Sequence, residues 1–403
     1  EEIVQAKIGY AEINLAGFAQ LSASMALTKR GSERVTLSNG EETIVTSLAI
    51  GINDANAFIG IPIGGRGYFY DSNGDHRIDE RDAINEQAVG LVIRDLDLGL
   101  VVAKELVIDT TGVDIGVYLA GRATVDAILM SGVPGMTMRA DDIAIEINTG
   151  LRFSLNIGQF VRDASGAVSY DTDVSVSVSL TTIDFSKSTW VHPDDPEGTT
   201  RPGYAIETGN PREPIVLNYS ELYLRLYGSV QVDMFGLVKL DGVLDFRLSE
   251  SEGLTAFANV ELQIGPDGFN LRREATGLLV INSEGVAMRL NLDADLDLGP
   301  VVTLDAELDL SLNTFGRDIT YVVPDEFRPL TGFDTFTIGA YPPGKDPSWT
   351  GMYAALTGQG TLDLFDGALA LQGDFSVIVA EVNGAVTLEL GATAVLDLPV
   401  LEP

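Results

Sequence analysis

Parity is the feature of this chain that most restricts its fold. In residues 286–298, "VAMRLNLDADLDL", Val286, Met288, Leu290, Leu292, Ala294, Leu296 and Leu298 share one parity. Ala287, Arg289, Asn291, Asp293, Asp295 and Asp297 hold the other. Side chains alternate faces along a strand, so the run reads as a strand with one apolar and one acidic face. After Gly299-Pro300 the pattern restarts, with Val302, Leu304, Ala306, Leu308, Leu310 and Leu312 opposed to Thr303, Asp305, Glu307, Asp309 and Ser311. A breaker between two alternating runs predicts a hairpin. The same pattern recurs at Val174–Leu180, at Leu222–Leu226 and from Val382 to Leu398. At about 3.3 Å per residue, a thirteen-residue strand spans about 43 Å. Such runs either bend at bulges or build an unusually wide sheet.

One-faced alternation argues for antiparallel strands with one wet face. Helical patterns are nearly absent, and "DERDAINEQA", 79–88, is the best candidate for a short helix. With few helices to act as a lid, the sheet must cover itself. The expected fold is therefore all-β: long antiparallel amphipathic strands in a self-covering sheet (folded trough, flattened barrel or sandwich) with very little helix. The Pro-, Gly- and Asp-rich segment 186–216 reads as a long loop or linker, and 322–351 as a second interruption. This predicts two β-rich regions, 1–200 and 201–403, with a soft boundary near 200. Gly17…Leu21, Gly236…Leu240 and Gly360…Leu364 sit in similar runs at unequal intervals, which argues against a regular solenoid.

The chain carries 59 acidic against 25 basic residues, a net charge of −34, although 45% of it is hydrophobic. It can bury a large core, and it repels nucleic acid and anionic lipid surfaces. The acidity fits solvation of an apolar protein, a salty habitat or several bound divalent cations. There is no cysteine, so disulfides and thiolate chemistry are excluded. No run of 18 apolar residues occurs, so no transmembrane helix is expected. Aromatics are only 7%, and the acidic parity argues against a lipid-facing barrel, so membrane insertion is not expected. Glu1 is not preceded by Met and the chain stops in "LDLPVLEP", which reads as a piece of a longer polypeptide or a processed product.

The most chemically specific stretch is "DSNGDHRIDERD", 71–82. Numbered as a twelve-residue calcium loop, its positions 1, 3, 5, 9 and 12 are Asp71, Asn73, Asp75, Asp79 and Asp82. Arg77, at position 7, would offer its backbone carbonyl, and Ile78 is the apolar residue that pins such a loop to a neighbour. An all-oxygen set suits Ca2+ rather than zinc. Position 6 is His76, where glycine usually turns the chain, and position 12 is Asp in place of the longer Glu. The alternative is a polar turn that binds nothing.

Other features receive plainer readings. Asp293, Asp295 and Asp297 read as a solvated strand face rather than a cation ladder. "GGRG", 64–67, lacks the Lys-Ser/Thr of a phosphate loop and reads as a turn. His192, beside Asp194 and Asp195, reads as a loop histidine, since no nucleophile is spaced to make a triad. Tyr223, Tyr227, Trp190 and Trp349 read as packing residues rather than a sugar platform. No carboxylate pair stands out for glycoside hydrolysis. The chain is expected to be non-enzymatic.

The loop 71–82 resembles the calcium loops of dockerin-like and thrombospondin-like repeats, which tolerate a terminal Asp. The block "GINDANAFIG…DSNGDHRIDERDAINEQAVGLVIRDLDLGLVV", 51–102, with "MTMRADDIAIEIN", 136–148, looks like segments of very large secreted bacterial surface proteins. That resemblance implies a non-enzymatic structural or adhesive segment at the cell surface or outside the cell, stabilised by calcium. An exposed strand edge would allow head-to-tail assembly with further copies. The long amphipathic strands also resemble the β-grooves of bridge-like lipid transporters, which implies a lipid-carrying trough as the alternative.

Overall fold

The alternating runs are strands, and their length sets the architecture. This computed structural model describes residues 3–78, 82–108, 112–157, 159–162, 168–171, 174–265, 270–299, 301–345, 347, 349, 352–364, 369–382 and 385–397. Strand makes up 71% and helix 2%, so the expected all-β chain of long antiparallel strands is what forms. It opens with β1 (Ile3–Leu15), β2 (Ala19–Thr36), β3 (Glu42–Ile61), β4 (Val89–Ile108), β5 (Gly112–Ser131) and β6 (Met136–Asn156). Short strands follow: β7 (Gln159–Arg162), β8 (Val168–Asp171), β9 (Ser175–Ser179), β10 (Thr189–Val191), β11 (Thr200–Pro202), β12 (Tyr204–Ile206) and β13 (Ile215–Leu217). A second long series is β14 (Tyr223–Met234), β15 (Val238–Ser249), β16 (Gly253–Ile264), β17 (Asn270–Asn282), β18 (Gly285–Asp297) and β19 (Val302–Asn313). After β20 (Ile319–Val322), a one-turn helix α1 (Arg328–Thr331) and β21 (Thr335–Ile338), the chain ends in β22 (Tyr353–Leu364), β23 (Leu369–Val382) and β24 (Ala385–Asp397).

One antiparallel sheet of 16 strands takes up all the long strands, in the order β1 to β6, β14 to β19, then β22 to β24, with β9 also on β6. It does not close into a barrel. β18 and β19 form the hairpin that Gly299-Pro300 predicts. Contacts divide the chain into two compact units. The first is 1–132, 143–226 and 248–251, and the second is 133–142, 227–247 and 252–403. Both use one turn design. At 15–18 and 234–237 the two central residues have positive φ (Ala16 50°, Gly17 78°; Phe235 58°, Gly236 67°), the hairpin turn whose twist matches the strands. Asn14 and Asp233 each accept the backbone N–H of the turn glycine.

Excursions of the chain between the long strands cover each unit's sheet. In the first unit, Val45 and Ala49 of β3, Val101 and Ala103 of β4 and Tyr118 and Ala120 of β5 lie under Ile183, Phe185, Tyr204, Ile206 and Leu217. The stretch read as a loop or linker is thus a lid carrying two small hairpins, β10–β11 and β12–β13. It lies so close that a Cβ on Gly51 would sit 2.2 Å from the Glu207 carbonyl oxygen. In the second unit, Val243, Phe257, Leu278 and Ala287 lie under Ile319, Tyr321, Val323, Phe327 and Ile338.

The covered side is the mixed parity, not the aliphatic one. Ala287, Asp309, Ser311 and Asn313 are buried, whereas Leu290, Leu292, Leu308 and Leu310 are half-buried or exposed. The sequence pictured the aliphatic parity turned inward. The excursions bury aromatic and aliphatic residues against the mixed parity, on Val45, Val101 and Tyr118 in the first unit and on Val243, Phe257 and Leu278 in the second. The expected helix at 79–88 also does not form over the described residues 82–88. There Ile84 bridges Phe69, the Asn85 N–H donates to the Tyr68 carbonyl, and the Asn85 side chain donates to the carbonyls of Ile63 and Arg66. Residues 79–81 lie outside the described residues.

Candidate functional site

The uncovered face of the second unit is a chemically uniform surface. Registers from β16 to β24 align five cross-strand rows on it. One row is Ile264, Leu271, Leu296, Leu304, Leu362, Leu371 and Leu396. The next is Leu262, Arg273, Ala294, Ala306, Gly360, Gly373 and Ala394, and beyond it run Val260, Ala275, Leu292, Leu308, Gly358, Phe375 and Ala392. The remaining two rows begin at Ala258 and Ala256 and contain only Ala, Gly, Val, Leu and Met. Arg273 is the one charged residue in all five rows.

This face holds a groove of about 660 Å³, lined by Val260, Leu262, Arg273, Leu292, Leu308 and Phe375 among others. Its floor is the row of Ala and Gly positions, where a missing side chain leaves depth beside the leucine row. Phe375 leans over Gly358, where a Cβ would lie 2.3 Å from its ring. Towards β24 the face is open to water, with Leu388 61%, Leu390 68% and Leu396 58% exposed. Soluble proteins rarely leave apolar patches of more than a few hundred Å² bare unless something binds there.

The opposite parity is acidic. Glu261, Glu274, Asp293, Glu307, Gln359 and Asp374 form one cross-strand row, and Arg272, Asp295 and Asp305 lie in the next. Arg272 pairs with Glu261 at 2.7 Å, and Gln359 donates to Glu307. Burial, then the neighbouring Glu307, Asp295, Asp305 and Glu274, pushes the Asp293 carboxyl above its ordinary range. Of the three carboxylates expected on a solvated strand face, Asp295 is exposed while Asp293 and Asp297 are half-buried.

The loop 71–82 lies between β3 and β4 in the first unit. Asp71 accepts the N–H groups of Gly74 and His76, Asn73 accepts that of Asp75, and Asp75 accepts that of Arg77. Asp82 reaches back to accept the N–H groups of Ser72 and Asn73. The chain therefore wraps around its own oxygen side chains, each of which keeps a lone pair for a further partner. His76, the departure at position 6, takes the left-handed φ of 64° that glycine would supply. Ile78 is buried beside Phe58, Tyr68 and Phe69 as the pinning residue, and its N–H donates to Tyr10 Oη. The Tyr10 hydroxyl is pushed up to about 12, chiefly by burial. Asp79 lies outside the described residues. Among the described residues, the carboxylates of Asp71, Asp75 and Asp82 are not gathered to one point.

Among the described residues the only such gathering is elsewhere, at Asp54, Asp95 and Asp97, whose oxygens lie within 4.8 Å of one another. Asp54 and Asp95 sit at positive φ (52° and 53°), Asp54 where the β3–β4 register shifts. The signal in the sequence was "NDAN" and "RDLD", where polar residues interrupt apolar alternation and so mark irregular strand. Asp54 and Asp95 of this triad border one hollow of the first unit together with Arg77, Ile78 and Asp82.

The remaining candidates separate. His192 turns in the β10–β11 loop, where its Nδ1 accepts the Asp194 N–H, and Trp190 lies beside it. Tyr223 stacks on Tyr219, Tyr227 meets Phe327 edge-on, and Lys345 lies over Trp349. "GGRG" is a turn closed by the Ile63–Arg66 bridge. No protein-family model matches this chain, and no curated protein matches it.

Proposed function

We propose that this chain carries acyl chains in an open β-groove, the lipid-carrying reading of its sequence. The observation that supports it is the uncovered apolar face of the second unit, five rows deep across seven strands, with an acidic face behind it to keep the protein in water. A structural sheet in contact with water would reverse this arrangement and bury the leucines. The groove volume of about 660 Å³ falls within the range of roughly 300–1,000 Å³ usual for small-molecule sites. Lipid extracted from the purified protein and measured by mass spectrometry tests the proposal. Acyl chains in stoichiometric amount are expected, and protein free of them after purification without detergent would refute it.

A second reading is favoured by a separate observation, the self-wrapped loop at 71–82. In it the chain is a calcium-stabilised structural or adhesive segment of a large bacterial surface protein, acting outside the cell and adding strands to further copies of itself. Asp71, Asn73, Asp75, Asp79 and Asp82, with the Arg77 carbonyl, would hold Ca2+, which supplies charge to offset their mutual repulsion. Here the apolar face is filled by neighbouring polypeptide. Lipid-free protein that assembles on addition of calcium would favour this reading over the groove.

A further inference from the structure

Two adjacent arginines on β17 have opposite surroundings. Arg272, on the acidic face, is paired with Glu261. Arg273, on the apolar face, lines the groove and has no hydrogen-bond or ion-pair partner among the described residues, although the chain carries 59 acidic residues. Its row neighbours are Leu262 and Ala294. Arg273 is exposed, so its guanidinium is free to meet an incoming anion at the mouth of the groove, and its planar fork fits a carboxylate with two parallel hydrogen bonds. From Arg273 the Ala/Gly floor continues through Ala294, Ala306, Gly360 and Gly373 to Ala394. With strands about 4.8 Å apart, that path is about 24 Å long. One acyl chain spans about 15 Å, half of a ~30 Å bilayer core, so the path holds one chain at full length.

Building on the groove reading, we infer that the ligand is a single-chain anionic amphiphile, a long-chain fatty acid, with its carboxylate on Arg273 and its tail lying across the strands toward β24. Charge complementarity selects it: the five rows carry one cation, matching one headgroup charge, and no other polar side chain to hold a larger head.

The test is equilibrium binding of radiolabelled palmitate and of uncharged hexadecanol to the full chain, with phosphatidylcholine vesicles and acetate as competitors. Palmitate is expected to bind about tenfold more tightly than hexadecanol, the effect of one charge-assisted hydrogen-bonded pair. Arg273→Gln should remove that preference while leaving hexadecanol unchanged, and Arg273→Lys should keep part of it. Ala306→Trp, which fills the floor, should weaken both ligands, and neither vesicles nor acetate should displace palmitate. Equal binding of the two ligands, untouched by Arg273→Gln, would overturn the anchor but leave the groove. Binding of neither, or binding indifferent to Ala306→Trp, would overturn the groove itself. Displacement by vesicles would replace the fatty acid with a phospholipid and overturn the inference, and displacement by acetate would place the carboxylate site outside the groove. A dimer that excludes palmitate would assign the face to a second copy. Trp349 fluorescence checks that each variant is folded.

Discussion

The two units are built from the same alternating pattern and differ in how they bend and what covers them. In the first, β2 to β6 run 18 to 21 residues, and registers slip at Ile8/Ala11, Ser22/Ser24 and Ile52/Ala55. In the second, β16 to β19 and β22 to β24 run 12 to 14 residues with unbroken register. The lids differ too. The second unit's lid is aromatic: Tyr321 stacks on Phe257 at 4.4 Å, with Phe333 and Phe336 around them. In the first unit the mixed face carries a buried Glu105, which accepts from Thr43 and Tyr118 and pairs with Arg152 at 3.1 Å. Pure alternation gives unbroken register, and interrupted alternation gives bulges. Both cores bury charge: in the second unit Asp245 accepts from Tyr321 of the lid, and Arg289 pairs with Asp309 and donates to the Thr337 carbonyl. The two tryptophans fall one to each unit, Trp190 in the first and Trp349 in the second, so single-tryptophan variants report each transition separately.

The largest effect should come from Phe257→Ala, which removes the ring at the centre of the aromatic cluster and should cost about 3–5 kcal/mol. The Trp349 transition in urea should shift while the Trp190 transition stays in place. Equal movement of both would mean that the units unfold as one. Glu105→Ala tests the charge side of the comparison. It removes the buried acceptor of Thr43 and Tyr118 and one of three carboxylates paired with Arg152, which keeps Glu41 and Asp114, and should cost about 1–3 kcal/mol. The loss should be read at Trp190, and Glu105→Gln, which keeps two hydrogen bonds, should recover part of it.

Calcium should act on one unit only. If the loop 71–82 binds the folded state alone, a hundredfold excess over Kd adds about 2.7 kcal/mol. Chelator should then lower the Trp190 melt and leave the Trp349 melt alone, and Asp71→Ala with Asp75→Ala should abolish the response. The same substitutions leave Asp54, Asp95 and Asp97 intact. A response that survives them but is lost on Asp95→Asn would move the ion to the triad.

The strands and their pairing were legible because parity is local: each residue declares its face, and Gly299-Pro300 marks the return. The lids were not legible. Tyr204, Ile206, Ile319 and Tyr321 lie in short, Pro- and Gly-flanked segments with no period of their own, and only their fit to strand residues far away in sequence buries them. For the same reason the sequence pointed to the wrong covered face, since alternation separates two faces without saying which is hidden. Arg273 was invisible in one strand. Its isolation emerges only when seven strands are laid in register. The loop 71–82 was legible as spacing, down to a residue at position 6 that turns left-handed, but spacing alone could not gather its carboxylates.

The smallest effect separates the units by sign. On the second unit, Asp293 is raised by burial first and then by the carboxylates around it, and Asp241 is raised by burial, Glu261 and Asp233. Folding makes these groups hold their protons more tightly, so stability should rise as pH falls through the raised values toward the ordinary Asp range. On the first unit, Glu41 is lowered, chiefly by the hydrogen bond from Arg152. Its contribution is present above the ordinary Glu range and is lost as pH falls through the lowered value. Mild acidification from neutral pH should therefore raise the Trp349 urea midpoint, and further acidification should lower that of Trp190. Asp293→Asn removes one member of a like-charged cross-strand row, worth about 0.2–1 kcal/mol. It should raise the Trp349 midpoint at neutral pH and flatten its response to acid. A Trp349 midpoint that falls on mild acidification would mean that the acidic row is held together by partners rather than strained by repulsion, and the contrast between the units would then rest on bulges and lids alone.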